Sequence, residues 1–149
     1  IRDVLALVTS EAQARRISLI FHAPDTAMPQ VLADRVLLQQ VVLNLVVNGL
    51  ESLSRSGRTF GANVLVAVRH DADGVQTDIR DGGEGISPQV AAALFEPFQT
   101  TKADGMGMGL AISRSIIESH GGRLWFTPNQ AMGVTFSFTL PLANAEITA

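Results

Sequence analysis

Apolar residues open the chain at helical spacing. Val4, Leu5, Val8 and Ala12 fall on one side of residues 1–16, which predicts an amphipathic helix. Residues 17–23 form a short β-rich run. A loop with Pro24 and Pro29 follows, and residues 31–33 could make a very short strand. Asp34 stands where a helix cap belongs, and the helix it starts is expected to run to about residue 54. Residues 41–50 are apolar almost all round, the mark of a buried helix. After a break at 57–61, residues 63–70 and 75–81 read as strands joined by a hairpin turn at Asp73-Gly74. Ser87 caps a short helix to about residue 94, with Pro88 at its first position. Residues 95–108 show no periodicity and read as a long loop. Residues 109–120 predict a helix stopped by Gly121-Gly122. Residues 123–127 and 134–140 are the last strands, separated by a turn at 128–133, and the tail from 142 to 149 is expected to be loose. Helices mixed with hairpins point to an α+β fold. The expectation is a two-layer α/β sandwich with a mixed, mostly antiparallel sheet packed against helices on one face.

Composition narrows the function. A chain of 149 residues suits one domain, and 46% hydrophobic against 17% charged residues is a globular balance. The net charge is −3 and no basic stripe appears, so a nucleic-acid partner is not expected. Bound phosphates would need local devices: backbone amides, a metal ion, one or two cations. With no cysteine, disulfides, thiolate metal sites and cysteine catalysis are excluded, which fits a reducing cytoplasm. No uninterrupted apolar run reaches the roughly 18 residues of a membrane span, and direct membrane contact is not expected. The first residues already sit within a helical pattern, so the chain reads as a fragment of a longer protein.

Four clusters could carry chemistry. Asn44 and Asn48 interrupt the apolar helix one turn apart, and Glu51 and Arg55 continue their face. Two buried amides can bond backbone across a core, or can offer oxygen to a hard cation such as Mg²⁺. Asp81-Gly82-Gly83-Glu84-Gly85 ends a strand. A carboxylate there suits the amino group of adenine and would repel the carbonyl of guanine, though a plain turn capped by Asp81 is equally compatible. Gly105-Met106-Gly107-Met108-Gly109 leads into a helix, which makes either an anion site of exposed amides or a hinge. It is neither a Rossmann fingerprint nor a Walker loop. Upstream stand Phe95-Glu96-Pro97-Phe98 and Thr100-Thr101-Lys102. The two Phe can anchor a segment by packing, and Lys102 is either a phosphate-contacting cation or a solvated surface lysine.

The order of these clusters resembles the ATP-binding domain shared by histidine kinases, DNA gyrase, MutL and a class of chaperones, the GHKL superfamily with the Bergerat fold. The resemblance runs from Asp34 to Leu140. Asp34-Arg35 through Gln40 to Asn44 and Asn48 resembles the asparagine box, residues 81–85 and 105–110 the two glycine boxes, and residues 95–98 the phenylalanine box. Thr100-Thr101-Lys102 with the Gly-Met-Gly-Met-Gly loop is most similar to sensor kinases of the FixL and NtrB types. The resemblance implies ATP and Mg²⁺ as cofactors. It implies that Asn48 holds the metal with Asn44 in support, that Asp81 reads the adenine amino group, and that Gly83 and Gly85 make room for the base. Gly105, Gly107 and Gly109 would form the lid hinge and phosphate site, with Lys102 on the phosphates and Asn44, Asn48 and Lys102 as the catalytic set. Glu51, Ile86, Phe98, Thr101, Met106, Met108 and Leu110 would complete the nucleotide site. Gly49, Ser52 and Gly82 depart from the residues usual in the family and shape the pocket wall.

The gyrase and chaperone branches place a general-base Glu four residues before the metal Asn. That position is Asn44 here, which cannot take a proton, so the resemblance favours a kinase over an ATP hydrolase. The implied reaction is transfer of the γ-phosphate to a histidine. His22, His70 and His120 do not fall on an exposed helix face, so the acceptor is expected on a separate histidine-bearing dimerisation domain. The implied partners are ATP and ADP, that dimerisation domain and a downstream response regulator. The full-length protein is expected to be a cytoplasmic or membrane-anchored homodimer and the fragment a monomer. The alternatives are a degenerate nucleotide-binding or docking module and a serine kinase of the anti-sigma-factor type.

Overall fold

The computed structural model describes residues 1–57, 60–96 and 109–143. The elements follow in the order α1 (Arg2–Ala14), β1 (Ser18–His22), α2 (Arg35–Arg55), β2 (Asn63–His70), β3 (Gly74–Asp81), α3 (Pro88–Ala92), α4 (Gly109–Ser119), β4 (Arg123–Pro128) and β5 (Val134–Pro141). The five strands form one sheet in the order β1-β2-β3-β5-β4. Among the described residues only β1 and β2 are parallel. The other three pairs are antiparallel, so the sheet is mixed and mostly antiparallel, as the hairpins predict.

Strand alternation sends every second side chain towards the helices. One row crosses all five strands: Phe21 beside Val66, Val66 beside Ile79, Ile79 beside Phe136, and Phe136 beside Phe126. Helices α1, α2 and α4 lie side by side over this face, α2 in the middle against β2 and β3, and α4 against β4 and β5. Val4, Val8 and Ala12 of α1 are buried, as their spacing requires. Helix α2 is long and apolar enough to cross a membrane by length and composition. Instead it is the core helix: Val41, Val42, Leu45, Val46, Leu50 and Leu53 are buried against the sheet and its neighbours.

The helix signals read from sequence act as capping chemistry predicts. The Asp34 carboxylate accepts the Leu37 N–H at 3.0 Å, and Ser87 Oγ accepts the Val90 N–H at 3.3 Å with Pro88 next to it. Helix α4 ends before Gly121, whose φ is +80°.

Three expectations need correction. Residues 31–33 do not form a strand, because no neighbouring strand pairs with them. Helix α3 is one short turn and closes at Ala92 rather than near 94. The β2–β3 turn centres on Ala72 and Asp73, not on Asp73-Gly74. Its bonds come from Asp71, whose Oδ1 accepts the N–H groups of Asp73 and Gly74. Gly74 is needed for another reason: a side chain there would collide with the Leu140 backbone oxygen of β5.

Candidate functional site

Asp81 is the last residue of β3 and falls in the same alternation as Thr77 and Ile79, so its side chain points to the helix layer. It stands beside Val64 in the sheet and is only 3% exposed. A carboxylate in an apolar row must find donors. Gly83 N–H donates to Oδ1 at 2.9 Å. The Val134 amide and the Ser52 hydroxyl also bond the group, and the Arg55 guanidinium lies near it. Burial is the largest influence and outweighs these donors, so the Asp81 pKa is raised above its ordinary value.

The glycines after Asp81 differ in purpose. A side chain on Gly83 would collide with Ser52 Oγ and approach the Ser52 backbone carbon to 2.8 Å. Gly83 therefore lets the loop lie directly on α2. Gly82 has open space where a side chain would go. Glu84, farther along, pairs with Arg55 of α2 at 3.6 Å. Gly49 also serves close packing, since a methyl there would stand 3.3 Å from Val64 Cγ2 and 3.5 Å from Asp81 Cβ.

Helix α2 links this loop to α4. Ser52 touches Asp81 and Gly83, and two turns earlier the half-buried Asn44 donates through Nδ2 to Gly109 O at 3.5 Å and to Ser113 Oγ at 3.3 Å. Ser113 is fully buried. Asn44 is thus a packing tie to the first turn of α4. Asn48 lies one turn from each end of this line, half-buried, and among the described residues its carboxamide has no hydrogen-bond partner. Glu51 continues the same face and is half-buried. Ile86 and Leu110 pack at the edge of the core. The structure therefore ties Asn44 to Gly109 and Ser113 of α4, and sets Asp81 and Gly83 against Gly49 and Ser52 of the same helix α2, with Asn48 between the two contacts.

Phe95 is anchored as its place in the sequence suggests. Its ring meets Phe126 with centroids 6.3 Å apart, and the Arg114 guanidinium lies 5.2 Å above it. Phe98, Thr101, Lys102, Gly105, Met106, Gly107 and Met108 lie outside the described residues.

His22 and His70 end strands β1 and β2 and are exposed. His120 follows α4 and ties its end to the cap of α2, with Asp34 N–H donating to its Nε2 at 3.0 Å and Nδ1 lying 2.7 Å from Ile116 O.

The sequence marks Ser52 only as a small wall residue and gives no role to Ser113 or Asn129. The available signal was spacing: Ser52 falls one turn after Asn48 on the same helix face.

A carboxylate buried at a strand end can accept a purine amino group, and a carboxamide line on the facing helix can hold a hydrated cation. Known proteins share the fold. Residues 33–144 match the family of histidine kinase-, DNA gyrase B-, and HSP90-like ATPases. The chain is 43% identical over 146 residues to the sensor protein FixL of Bradyrhizobium diazoefficiens, covering 97% of this chain and 28% of FixL. The fold matches the nucleotide-free catalytic domain of histidine kinase ThkA with a TM-score of 0.81 and 31% identity, covering 95% of this chain and 89% of that one. ThkA has also been solved in complex with the response regulator TrrA. Full-length ShkA in complex with AMPPNP matches with a TM-score of 0.81 and 29% identity, over 97% of this chain and 29% of ShkA. With a matched region that runs from the cap of α2 past the last strand, and with Asp81 and the asparagines of α2 inside it, this chain belongs to the histidine kinase-, DNA gyrase B- and HSP90-like ATPase family.

Proposed function

We propose that this chain is the ATP-binding catalytic domain of a two-component sensor histidine kinase, acting in the cytoplasm. It binds Mg-ATP and presents the γ-phosphate to a histidine on a separate dimerisation domain of the same kinase. The observation that carries this reading is the buried Asp81 carboxylate, held by the Gly83 and Val134 amides and facing the asparagine helix.

In this reading Asp81 accepts a hydrogen bond from the adenine amino group. Ile86 and Leu110 offer apolar contact, and Gly85 keeps the chain close. The residues of α2 suit Mg²⁺. Among the described residues no cluster of three His, Cys, Asp or Glu is placed to hold a metal, whereas Asn48 offers a half-buried carboxamide oxygen. Mg²⁺ keeps several waters and takes few protein ligands when phosphates supply the rest. The ion would neutralise charge on the phosphates. Asn44 supports Asn48 from one turn away while holding α4. The resemblance assigns the phosphates to Lys102 and to the glycines of 105–109, and Phe98, Thr101, Met106 and Met108 to the nucleotide site; all of these but Gly109 lie outside the described residues.

Asn44 also bears on the reaction. An amide cannot remove a proton from water, so the site lacks a general base at the position where the hydrolase branches carry one. The attacking group is an imidazole nitrogen of the partner domain. It forms the N–P bond as the bond from the γ-phosphorus to the ADP oxygen breaks, and ADP leaves. Catalysis rests on positioning and charge neutralisation. The response regulator then takes the phosphoryl group, a partner class supported by the ThkA–TrrA complex.

Calorimetric titration with ATP and GTP, each with and without Mg²⁺, tests the proposal. ATP binding that strengthens with Mg²⁺, and no GTP binding, is the expected result. Absence of ATP binding under either condition would overturn it.

A further inference from the structure

The turn from β4 to β5 lies outside the asparagine, glycine and phenylalanine boxes, yet it frames Asp81. Asn129 opens this turn and uses all of its side-chain polar atoms. Its Nδ2 donates to the Asp81 carbonyl oxygen at 2.8 Å and to Met132 O at 3.0 Å. Its Oδ1 accepts the Thr135 hydroxyl at 2.7 Å. The backbone closes the same turn, with Asn129 N–H donating to Gly133 O at 3.1 Å. Gly133 has a φ of +82°, and a side chain on it would collide with the Asp81 carbonyl oxygen. The next residue, Val134, gives its N–H to the Asp81 carboxylate. One turn therefore holds both the backbone and the side chain of Asp81.

We infer that Asn129 is a positioning residue for purine recognition: it fixes the end of β3 so that the Asp81 carboxylate faces the 6-amino group of the base. Beyond Asp81 the chain continues into two glycines, and a side chain on the first would meet nothing within 4 Å. Without the Asn129 amide the buried Asp81 carbonyl loses a donor, and the 81–82 peptide is free to turn in search of another. A hydrogen bond to an amino group is directional, so a rotated strand end would weaken it. The phosphates are held elsewhere, so the loss is confined to the base. This inference rests on the proposal that Asp81 reads adenine.

The test compares ATP with purine riboside triphosphate, which lacks the 6-amino group, by calorimetry on the wild type and on Asn129→Asp, Thr135→Val and Asp81→Asn. Asn129→Asp keeps the oxygen that Thr135 bonds but replaces the donating amide with a group that repels the Asp81 carbonyl. Thr135→Val keeps the shape and removes the hydroxyl that orients Asn129. The wild type is expected to prefer ATP, and Asp81→Asn to lose that preference. Asn129→Asp is expected to bind ATP about tenfold more weakly while binding the analogue within about twofold of wild type. Thr135→Val should fall between the two. If Asn129→Asp melts before titration, Thr135→Val alone carries the comparison. If both variants keep the wild-type ratio, whether by losing both nucleotides equally or neither, Asn129 is a structural residue only and the inference fails while the Asp81 reading stands. A wild type that binds the two nucleotides equally would overturn the Asp81 reading and the inference with it.

Discussion

The backbone N–H of Asp34 donates to Nε2 of His120 at 3.0 Å, so the cap of α2 is held by the residue that follows α4. With Nε2 accepting, the ring proton sits on Nδ1 and is donated to Ile116 O at 2.7 Å. One neutral imidazole therefore satisfies an exposed helix-cap amide and a helix-end carbonyl together.

His120→Ala removes both bonds. The unfolding free energy is expected to fall by about 1–2 kcal/mol. Urea denaturation measures this, and an unchanged midpoint would mean that the tie contributes nothing to the fold.

Asp81 couples function to stability with a definite sign. Burial raises its pKa above the ordinary 3.8. A carboxyl with a raised folded pKa favours folding when protonated; that contribution is complete below pH 3.8 and is lost as pH rises through the raised value. At pH 7 the ionised group works against the fold. Asp81→Asn should melt no lower than wild type at pH 7 and bind ATP at least about tenfold more weakly. Thermal melts at pH 7 and pH 4 check the sign, because any advantage of the variant should shrink in acid. A variant that melts about 5 °C below wild type at pH 7 would contradict it.

The Asn44–Ser113 bond predicts coupling. Asn44→Ala and Ser113→Ala should each cost about 1 kcal/mol, and the double variant less than their sum by about 0.5 kcal/mol or more. Simple additivity in a double-mutant cycle would show that the 3.3 Å contact carries no energy of its own.

Adjacent glycines give a sharp contrast. Gly83→Ala drives a methyl into Ser52 and should cost on the order of 2–4 kcal/mol, whereas Gly82→Ala meets nothing within 4 Å and should stay within about 0.5 kcal/mol of wild type. Denaturant midpoints of the two variants decide this, and equal losses would refute the packing account.

Asn48 is expected to act through the metal. Asn48→Ala should weaken ATP binding in Mg²⁺ by about tenfold and leave binding in EDTA nearly unchanged. Equal losses in both buffers would remove Asn48 from the metal site.

Local features were legible because their causes are local. Periodicity marks α1 and α2, Asp34 and Ser87 cap the helices they precede, and alternation over residues 75–81 already places Asp81 on the same side as Thr77 and Ile79. The order of the glycine and asparagine clusters was enough to indicate an ATP-binding fold. The strand at 31–33 failed because a strand exists only through a paired neighbour, and no sequence window displays one. The hairpin turn was misplaced by one residue because Gly74 answers to β5, not to its own turn.

Tertiary structure alone decided what the polar side chains do. Asn44 could have bonded the core backbone or a cation; it reaches a hydroxyl 69 residues away. His120 reaches a helix cap 86 residues away, and Asn129 a strand end 48 residues away. The raised pKa of Asp81 comes from its burial at the end of β3, and the need for a bare α-carbon at Gly83 comes from Ser52 of α2. The sequence by itself determined the long helices, the five strands that pair and which side chains a nucleotide could use. It could not determine partners, because hydrogen bonds and close contacts between distant segments depend on where the packed elements bring them, and that placement is set by the whole core at once.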